Sequence, residues 1–286
     1  MRIALITGAS SGLGRTFALQ IDRAEKHIDE IWLVARRRER LKEVAAMLDT
    51  PAKILAMDVT EEESIRQLEL LLAGNGDAQD DGNDSEGTAN EAADAFRKEP
   101  VRVGMFVNCA GYAKIGNYAK VSRFDSANMI DLNCKAAVNT TLAVLPYMRA
   151  GDRILEICST AAFQPIQHLN LYAASKAFLY SYTRALRMEL LPRGIVVTAV
   201  CPWWVKDTEF ISVASSNTAN PDVKSAVRSF PLATKEDQVV KRALRASRIG
   251  LAVSTPGLMC FLHRLLSKVI PKKWLMYCWE LFRRIG

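Results

Sequence analysis

Tyr172-Ala173-Ala174-Ser175-Lys176 sets a phenol and an amine four residues apart, with Ser159 thirteen residues upstream. On a helix, residues i and i+4 face the same way. An ammonium beside a phenol favours the phenolate and draws the tyrosine's pKa towards working pH. A phenol tuned in this way can exchange a proton with an alcohol or a carbonyl. The same spacing also suits a plain amphipathic surface pair, so other residues must decide between the two.

A second group can hold phosphate. Thr7-Gly8-Ala9-Ser10-Ser11-Gly12-Leu13-Gly14 follows an apolar run and precedes a helical pattern, the context that a dinucleotide-binding turn requires. Gly8 permits the tight turn, Gly12 lets the backbone approach a pyrophosphate, and Gly14 lets helix and strand pack closely. The phosphates then meet free N–H groups at a helix N-terminus. A tight turn with no ligand is the plainer alternative. Further on, Leu33-Val34-Ala35-Arg36-Arg37-Arg38 ends a second apolar run. A site for an unphosphorylated ribose places an acid there, and this one has none. Arg36 offers a planar fork suited to a 2′-phosphate, which points to NADP(H). Ser10, Ser11 or Arg37 are the other candidate readers of that phosphate, and a solvated basic helix start is the bland alternative.

These residues need a scaffold, and hydrophobic periodicity supplies one. Strands are expected at Arg2–Thr7, Ile31–Ala35, Ala52–Met57, Val101–Asn108, Arg153–Ser159 and Ile195–Val200. Helices are expected at Arg15–Ala24, Arg38–Leu48, Glu61–Leu72, Asp125–Arg149 and Tyr172–Leu190. Strict alternation of short apolar strands and helices predicts a Rossmann-like, doubly wound parallel sheet in three layers. We expect one catalytic α/β domain over residues 1–256 and a helical C-terminal extension over 257–286.

In this order and at these separations, the motifs resemble the short-chain dehydrogenase/reductase family, over about residues 1 to 210. Further matches are Asp58-Val59, Asn108-Cys109-Ala110-Gly111, Asn133, and Pro202-Trp203-Trp204-Val205-Lys206-Asp207-Thr208. The resemblance implies an oxidoreductase that interconverts a ketone or aldehyde with an alcohol, and a tetrad of Asn133, Ser159, Tyr172 and Lys176. Tyr172 would be general acid in reduction and base in oxidation. Ser159 would hydrogen-bond the carbonyl oxygen. Lys176 would hold the nicotinamide ribose and depress the Tyr172 pKa, and Asn133 would position a proton-relaying water. The cofactor residues implied are Gly8, Ser10, Ser11, Gly12, Leu13, Gly14, Arg36, Asp58, Val59, Asn108, Ala110, Gly111, Tyr172, Lys176, Pro202, Val205 and Thr208. The resemblance also implies a homodimer or homotetramer that pairs the long helices.

Three departures stand out. Cys109 replaces a second asparagine. Trp203 replaces a glycine, and one residue is inserted before Thr208. Trp203 and Trp204 either wall the substrate pocket or pack against the following helix. An aromatic wall would suit a lipophilic substrate, such as an acyl chain or a steroid.

Composition narrows the rest. The chain has 286 residues, and its net charge of +7 first suggests an anionic partner such as nucleic acid. No basic-aromatic groove or recognised binding motif supports nucleic acid, so none is expected. The charge is uneven. Residues 74–99 hold eight acids against Arg97 and Lys98, a net −6, while residues 257–286 hold six Lys/Arg against Glu280, a net +5. We expect a flexible acidic insertion at 73–95. Six scattered cysteines fit buried reduced thiols rather than a metal site or a disulfide framework. No signal peptide or spanning helix is expected, which leaves a cytoplasmic location. In the tail, Leu258, Phe261, Leu262, Leu265, Leu266, Val269 and Ile270 recur at helical spacing opposite His263, Arg264, Ser267 and Lys268. After Pro271-Lys272-Lys273, a second apolar run follows. The tail would cover the substrate, meet a partner subunit, or lie peripherally on a membrane. The competing class is a non-catalytic NADP(H)-sensing or scaffold protein on the same fold, which would bind cofactor without turnover.

Overall fold

The computed structural model describes residues 1–75, 100–206, 208–215 and 232–285. All but the first three residues of the acidic insertion, and all eight acids of residues 74–99, lie outside them.

Seven strands form one parallel sheet in the order β3-β2-β1-β4-β5-β6-β9. They are β1 (Arg2–Thr7), β2 (Glu30–Ala35), β3 (Ala52–Ala56), β4 (Arg102–Asn108), β5 (Arg153–Ile157), β6 (Val196–Val200) and β9 (Val253–Ser254). Inner strands are apolar on both faces, as a sheet covered on both sides demands. In β1, Ile3 and Leu5 enter one core and Ala4 and Ile6 the other, all fully buried. The first core is covered by α3 (Glu62–Leu72), α5 (Ala137–Val144) and α6 (Asn170–Leu190). The second is covered by α1 (Gly12–Ala24), α2 (Arg38–Ala45) and α8 (Glu236–Arg248). This is the expected three-layer, doubly wound fold.

The strand order reverses beside β1, between β2 and β4, and the crevice beyond the strand ends at such a switch point is where ligands bind in these sheets. Short elements crown that edge: α4 (Arg123–Ile130), the pair β7 (Val205–Lys206) and β8 (Thr234–Lys235), and α7 (Glu209–Ser215). The expected helix Asp125–Arg149 is less regular than its periodicity suggests. It winds as a π-turn over Asp131–Ala136 and tightens to 3-10 over Leu145–Tyr147, which contains Pro146. The expected strand Arg153–Ser159 stops at Ile157, and Ser159 instead caps a 3-10 turn by accepting from Ala161 N at 3.1 Å. The edge strand β9, only two residues long, carries too little pattern to be seen in the sequence.

The chain ends in α9 (Leu258–Val269) and α10 (Lys272–Ile285). They pack over the mouth of the crevice. Their orientation reverses the simple expectation for an amphipathic helix. In α9 the inward face carries Cys260, His263, Arg264 and Ser267, while Leu258, Phe261, Leu262, Leu265, Leu266 and Val269 are exposed. No helix among the described residues is long and apolar enough to cross a membrane.

Candidate active site

The glycine turn is set by close approach. Gly8 adopts φ +67, and a Cβ there would stand 2.9 Å from Ala110 N. A Cβ on Gly14 would come within 2.2 Å of the Gly8 carbonyl oxygen, so any side chain would push α1 off β1. Thr7, one residue earlier, fixes the facing turn. Its Oγ1 accepts from Cys109 N and Ala110 N, each at 3.0 Å, and donates to Asn108 Oδ1 at 3.0 Å. Because backbone N–H groups make these bonds, cysteine in place of an amide at 109 leaves the turn intact. The N-terminus of α1 has no side-chain cap and no acid in its first turn. Its free N–H groups and positive dipole end suit an anionic ligand.

The turns open onto a cleft of about 1100 Å³. Nearly every expected site residue lines it: Gly8, Ser10, Ser11, Gly12, Leu13, Gly14, Arg36, Asp58, Val59, Ala110, Gly111, Ser159, Tyr172, Lys176, Pro202, Trp203, Trp204, Val205 and Thr208. Thr208 stands directly across the phosphate turn, 3.4 Å from where a Gly12 Cβ would be. Two residues sit elsewhere. Asn108 is buried behind the cleft, where its Nδ2 donates to Ala137 O at 2.9 Å and to Thr141 Oγ1 at 3.3 Å, so it braces β4 against α5. Asn133 is fully buried on the π-turn. It donates to Tyr112 O at 2.9 Å and Ser175 Oγ at 3.0 Å, and accepts from Tyr112 N at 3.1 Å. It thereby ties the loop after β4 to α6. Such π-turns often mark functional sites.

At the cleft's inner end, Tyr172 hydrogen-bonds Ser159. Lys176 Nζ donates to Ile157 O at 2.7 Å and lies 6.0 Å from the centre of the Tyr172 ring. The expected electrostatic effect is not what dominates the phenol. Burial pushes Tyr172 up to about 12, with the Ser159 hydrogen bond opposing it, and Lys176 is not among the causes. Burial likewise lowers the Lys176 pKa. Cys109 is pushed up to about 12 by burial, so it is a neutral thiol here.

Around Arg36 the geometry favours its neighbour. Arg36 is exposed and lies 3.5 Å from Asp58 Oδ2. Arg37 Nη2 donates to Ser10 Oγ at 3.3 Å, Ser11 Oγ at 3.0 Å and Glu209 Oε2 at 2.9 Å. The ion pair and Ser11 hold the Glu209 carboxyl below its usual range. Glu209 carried no sequence signal, because nothing local links it to residue 37. The uncapped helix, the two arginines and the glycine turn together fit a phosphorylated dinucleotide.

Beyond Tyr172 the cleft becomes apolar and aromatic. Phe210 packs on the Tyr172 ring with centroids 5.6 Å apart. Trp204 joins the same cluster, and Trp203 meets His263 edge-on at 5.5 Å. Both tryptophans line the cleft, as do Met259, His263, Leu275, Cys278 and Trp279 from the two C-terminal helices. These helices are latched by side chains. Gln164 Oε1 is 2.8 Å from His263 Nε2, and its Nε2 donates to Leu275 O at 3.5 Å. Trp279 Nε1 donates to Gln167 O at 3.0 Å. Because Gln164 uses its amide as donor elsewhere, His263 Nε2 carries the proton. Burial lowers the His263 pKa to about 4, so the imidazole is neutral.

Comparison with known proteins agrees with this geometry. The short chain dehydrogenase family matches residues 2–70 and 78–219. Sulfoacetaldehyde reductase 2 of Chromohalobacter salexigens is 34% identical over 220 residues, covering 74% of this chain and 75% of the relative. The 17-beta-hydroxysteroid dehydrogenase type 3 of Mus musculus is 26% identical over 235 residues, covering 79% and 68%. A short-chain dehydrogenase from Sphingobium yanoikuyae, solved in complex with NADPH, superposes with a TM-score of 0.69 at 27% identity, covering 90% of this chain and 88% of that one. The glycine turn, the tyrosine and lysine on one helix, the cleft between them and the family match over most of the chain make this protein an oxidoreductase of the short-chain dehydrogenase family.

Proposed function

We propose that this protein is an NADP(H)-dependent reductase that interconverts a lipophilic ketone or aldehyde with its alcohol. The observation that carries the reading is the Tyr172–Ser159 hydroxyl pair at the inner end of a cleft that turns apolar beyond it. The α1 N-terminus and its glycine turn hold the pyrophosphate. Arg36 and Arg37 take the 2′-phosphate, Asp58 and Val59 border the adenine, and Ala110, Gly111, Lys176, Pro202, Val205 and Thr208 flank the nicotinamide half. When bound, NADPH supplies a hydride.

Tyr172, protonated at neutral pH, donates its proton to the carbonyl oxygen as charge develops there. Ser159 donates a hydrogen bond to the same oxygen. In the opposite direction Tyr172 is the base. Lys176 is positioned by the Ile157 carbonyl, and Asn133 holds the loop that faces it. Trp203, Trp204 and the inward side chains of α9 and α10 exclude water and give the pocket its preference for apolar substrates. The steroid named for the mouse relative fits such a pocket; the sulfoacetaldehyde named for the bacterial one is smaller and charged.

Six free cysteines support a reducing, cytoplasmic setting. Exposed Ile130, Leu142 and Phe178 on and around the long helices support pairing of two or four chains. The test is Tyr172→Phe, assayed for NADPH oxidation against a panel of apolar carbonyl compounds. Turnover falls by at least about a thousandfold while NADPH binding is retained. Undiminished turnover would overturn the mechanism, and binding without any turnover by the unaltered protein would overturn the enzymatic reading.

A further inference from the structure

Helices α9 and α10 present two unlike faces. The inner one lines the cleft through Met259, His263, Leu275 and Trp279, and is latched by Gln164 and Gln167. On α9 the outer face is the more apolar of the two. Leu258, Phe261, Leu262, Leu265, Leu266 and Val269 are 38% to 77% exposed, although the polar side of α9 is turned inward. On α10, Trp274, Tyr277 and Leu281 are 55% to 63% exposed. A helix that only capped the domain would bury its leucines. Contiguous exposed apolar surface of this kind marks an interaction site.

Charge says which partner fits. Lys268, Lys272 and Lys273 are exposed beside this face, and Glu280, the one acid in the segment, is paired with Arg283. Leucines framed by lysines, with tryptophan and tyrosine at the border, match a negatively charged bilayer surface, where aromatic rings sit at headgroup level and cations meet anionic lipid. A second copy of the same basic helices would instead bring like charges together. We propose that the outward faces of α9 and α10 dock this protein on an anionic lipid bilayer. The docked orientation sets the apolar wall of the cleft against the membrane, so a lipophilic substrate can enter without crossing water. That last step rests on the proposed reaction; the docking does not.

The experiment is flotation of the full-length protein with vesicles of phosphatidylcholine alone and of phosphatidylcholine mixed with phosphatidylglycerol, at low and high salt. The protein floats with the mixed vesicles, less so as salt rises. In the triple variant Lys268→Ala, Lys272→Ala, Lys273→Ala, partition falls about a hundredfold, taking about fivefold per cation. In Leu265→Glu with Val269→Glu, binding is lost at any salt. Both sets of residues are exposed and outside the cleft, so NADPH-dependent turnover of a water-soluble ketone stays at the unaltered level, which keeps a docking failure separate from a failure of the proposed reaction. Absence of flotation by the unaltered protein, or flotation of both variants undiminished from the unaltered level, overturns the proposal. So does a fall in solution mass caused by Leu265→Glu with Val269→Glu while flotation persists, since that result assigns the face to a second copy.

Discussion

Glu156→Gln tests whether a buried carboxyl beside Lys176 is neutral. Glu156 is fully buried on β5, one residue before the Ile157 carbonyl that holds Lys176. Its Oε1 lies 2.8 Å from Thr141 Oγ1, which in turn donates to Ala137 O at 2.7 Å, while Oε2 has no partner. A hydroxyl has one proton. With that proton on the Ala137 carbonyl, the contact with Glu156 is a hydrogen bond only if the carboxyl supplies the proton. Burial accordingly raises the Glu156 pKa from 4.5 to about 8, against the neighbouring Thr141 and Asn108 side chains and the Lys176 charge, which lower it. A carboxyl raised in the folded state contributes fully below its unfolded pKa and loses that contribution as pH climbs through the folded one. The loss between about pH 5 and about pH 8 is on the order of 3 to 4 kcal/mol, taking about 1.4 kcal/mol per pH unit. Glutamine keeps the shape and the acceptor and cannot ionise. Urea unfolding across that pH range therefore shows the unaltered protein weakening by this amount relative to the variant. The assay is the unfolding midpoint with its slope. Parallel pH curves for the two proteins would refute the reasoning.

Other outcomes follow from the same geometry. Arg36→Asp shifts cofactor use from NADPH towards NADH, and Arg37→Ala raises the KM for NADPH by at least about tenfold, the worth of a charge-assisted hydrogen bond. Preference unchanged in both variants would place the phosphate elsewhere. With the Tyr172 phenol pushed up to about 12, reduction is insensitive to pH between about 6 and 9, whereas alcohol oxidation rises with pH because the base form must be reached. A reduction rate that titrates away near neutrality would contradict the buried, protonated phenol.

What could be read from the sequence was local. The glycine turn, the helix that carries Tyr172 and Lys176, and the β2 end with its arginines each fit within a few residues, and backbone geometry does the rest. Thr208 was legible by resemblance, and the structure sets it against Gly12 despite the inserted residue. What depends on long-range packing was hidden. The period of α9 announces an amphipathic helix but not which side meets the domain, and here Cys260, His263 and Ser267 do. Asn108 reads as a cofactor contact, yet its amide is used up bracing Ala137 and Thr141. Glu209 and the Gln164–His263 latch join residues far apart in the chain, with no spacing to betray them.

The Arg37–Glu209 pair reaches beyond its own end of the cleft. Glu209 opens α7, and the next residue, Phe210, is the one that packs on Tyr172. The adenosine end and the reacting end of the cleft are thus spanned by two neighbouring residues on one short helix. On the proposed reading, a 2′-phosphate and the Glu209 carboxylate would compete for the same guanidinium. An anion that drew Arg37 away from Glu209 would free the first residue of α7, next to the ring that packs on Tyr172. The two ends of the cleft are thereby coupled through one short helix.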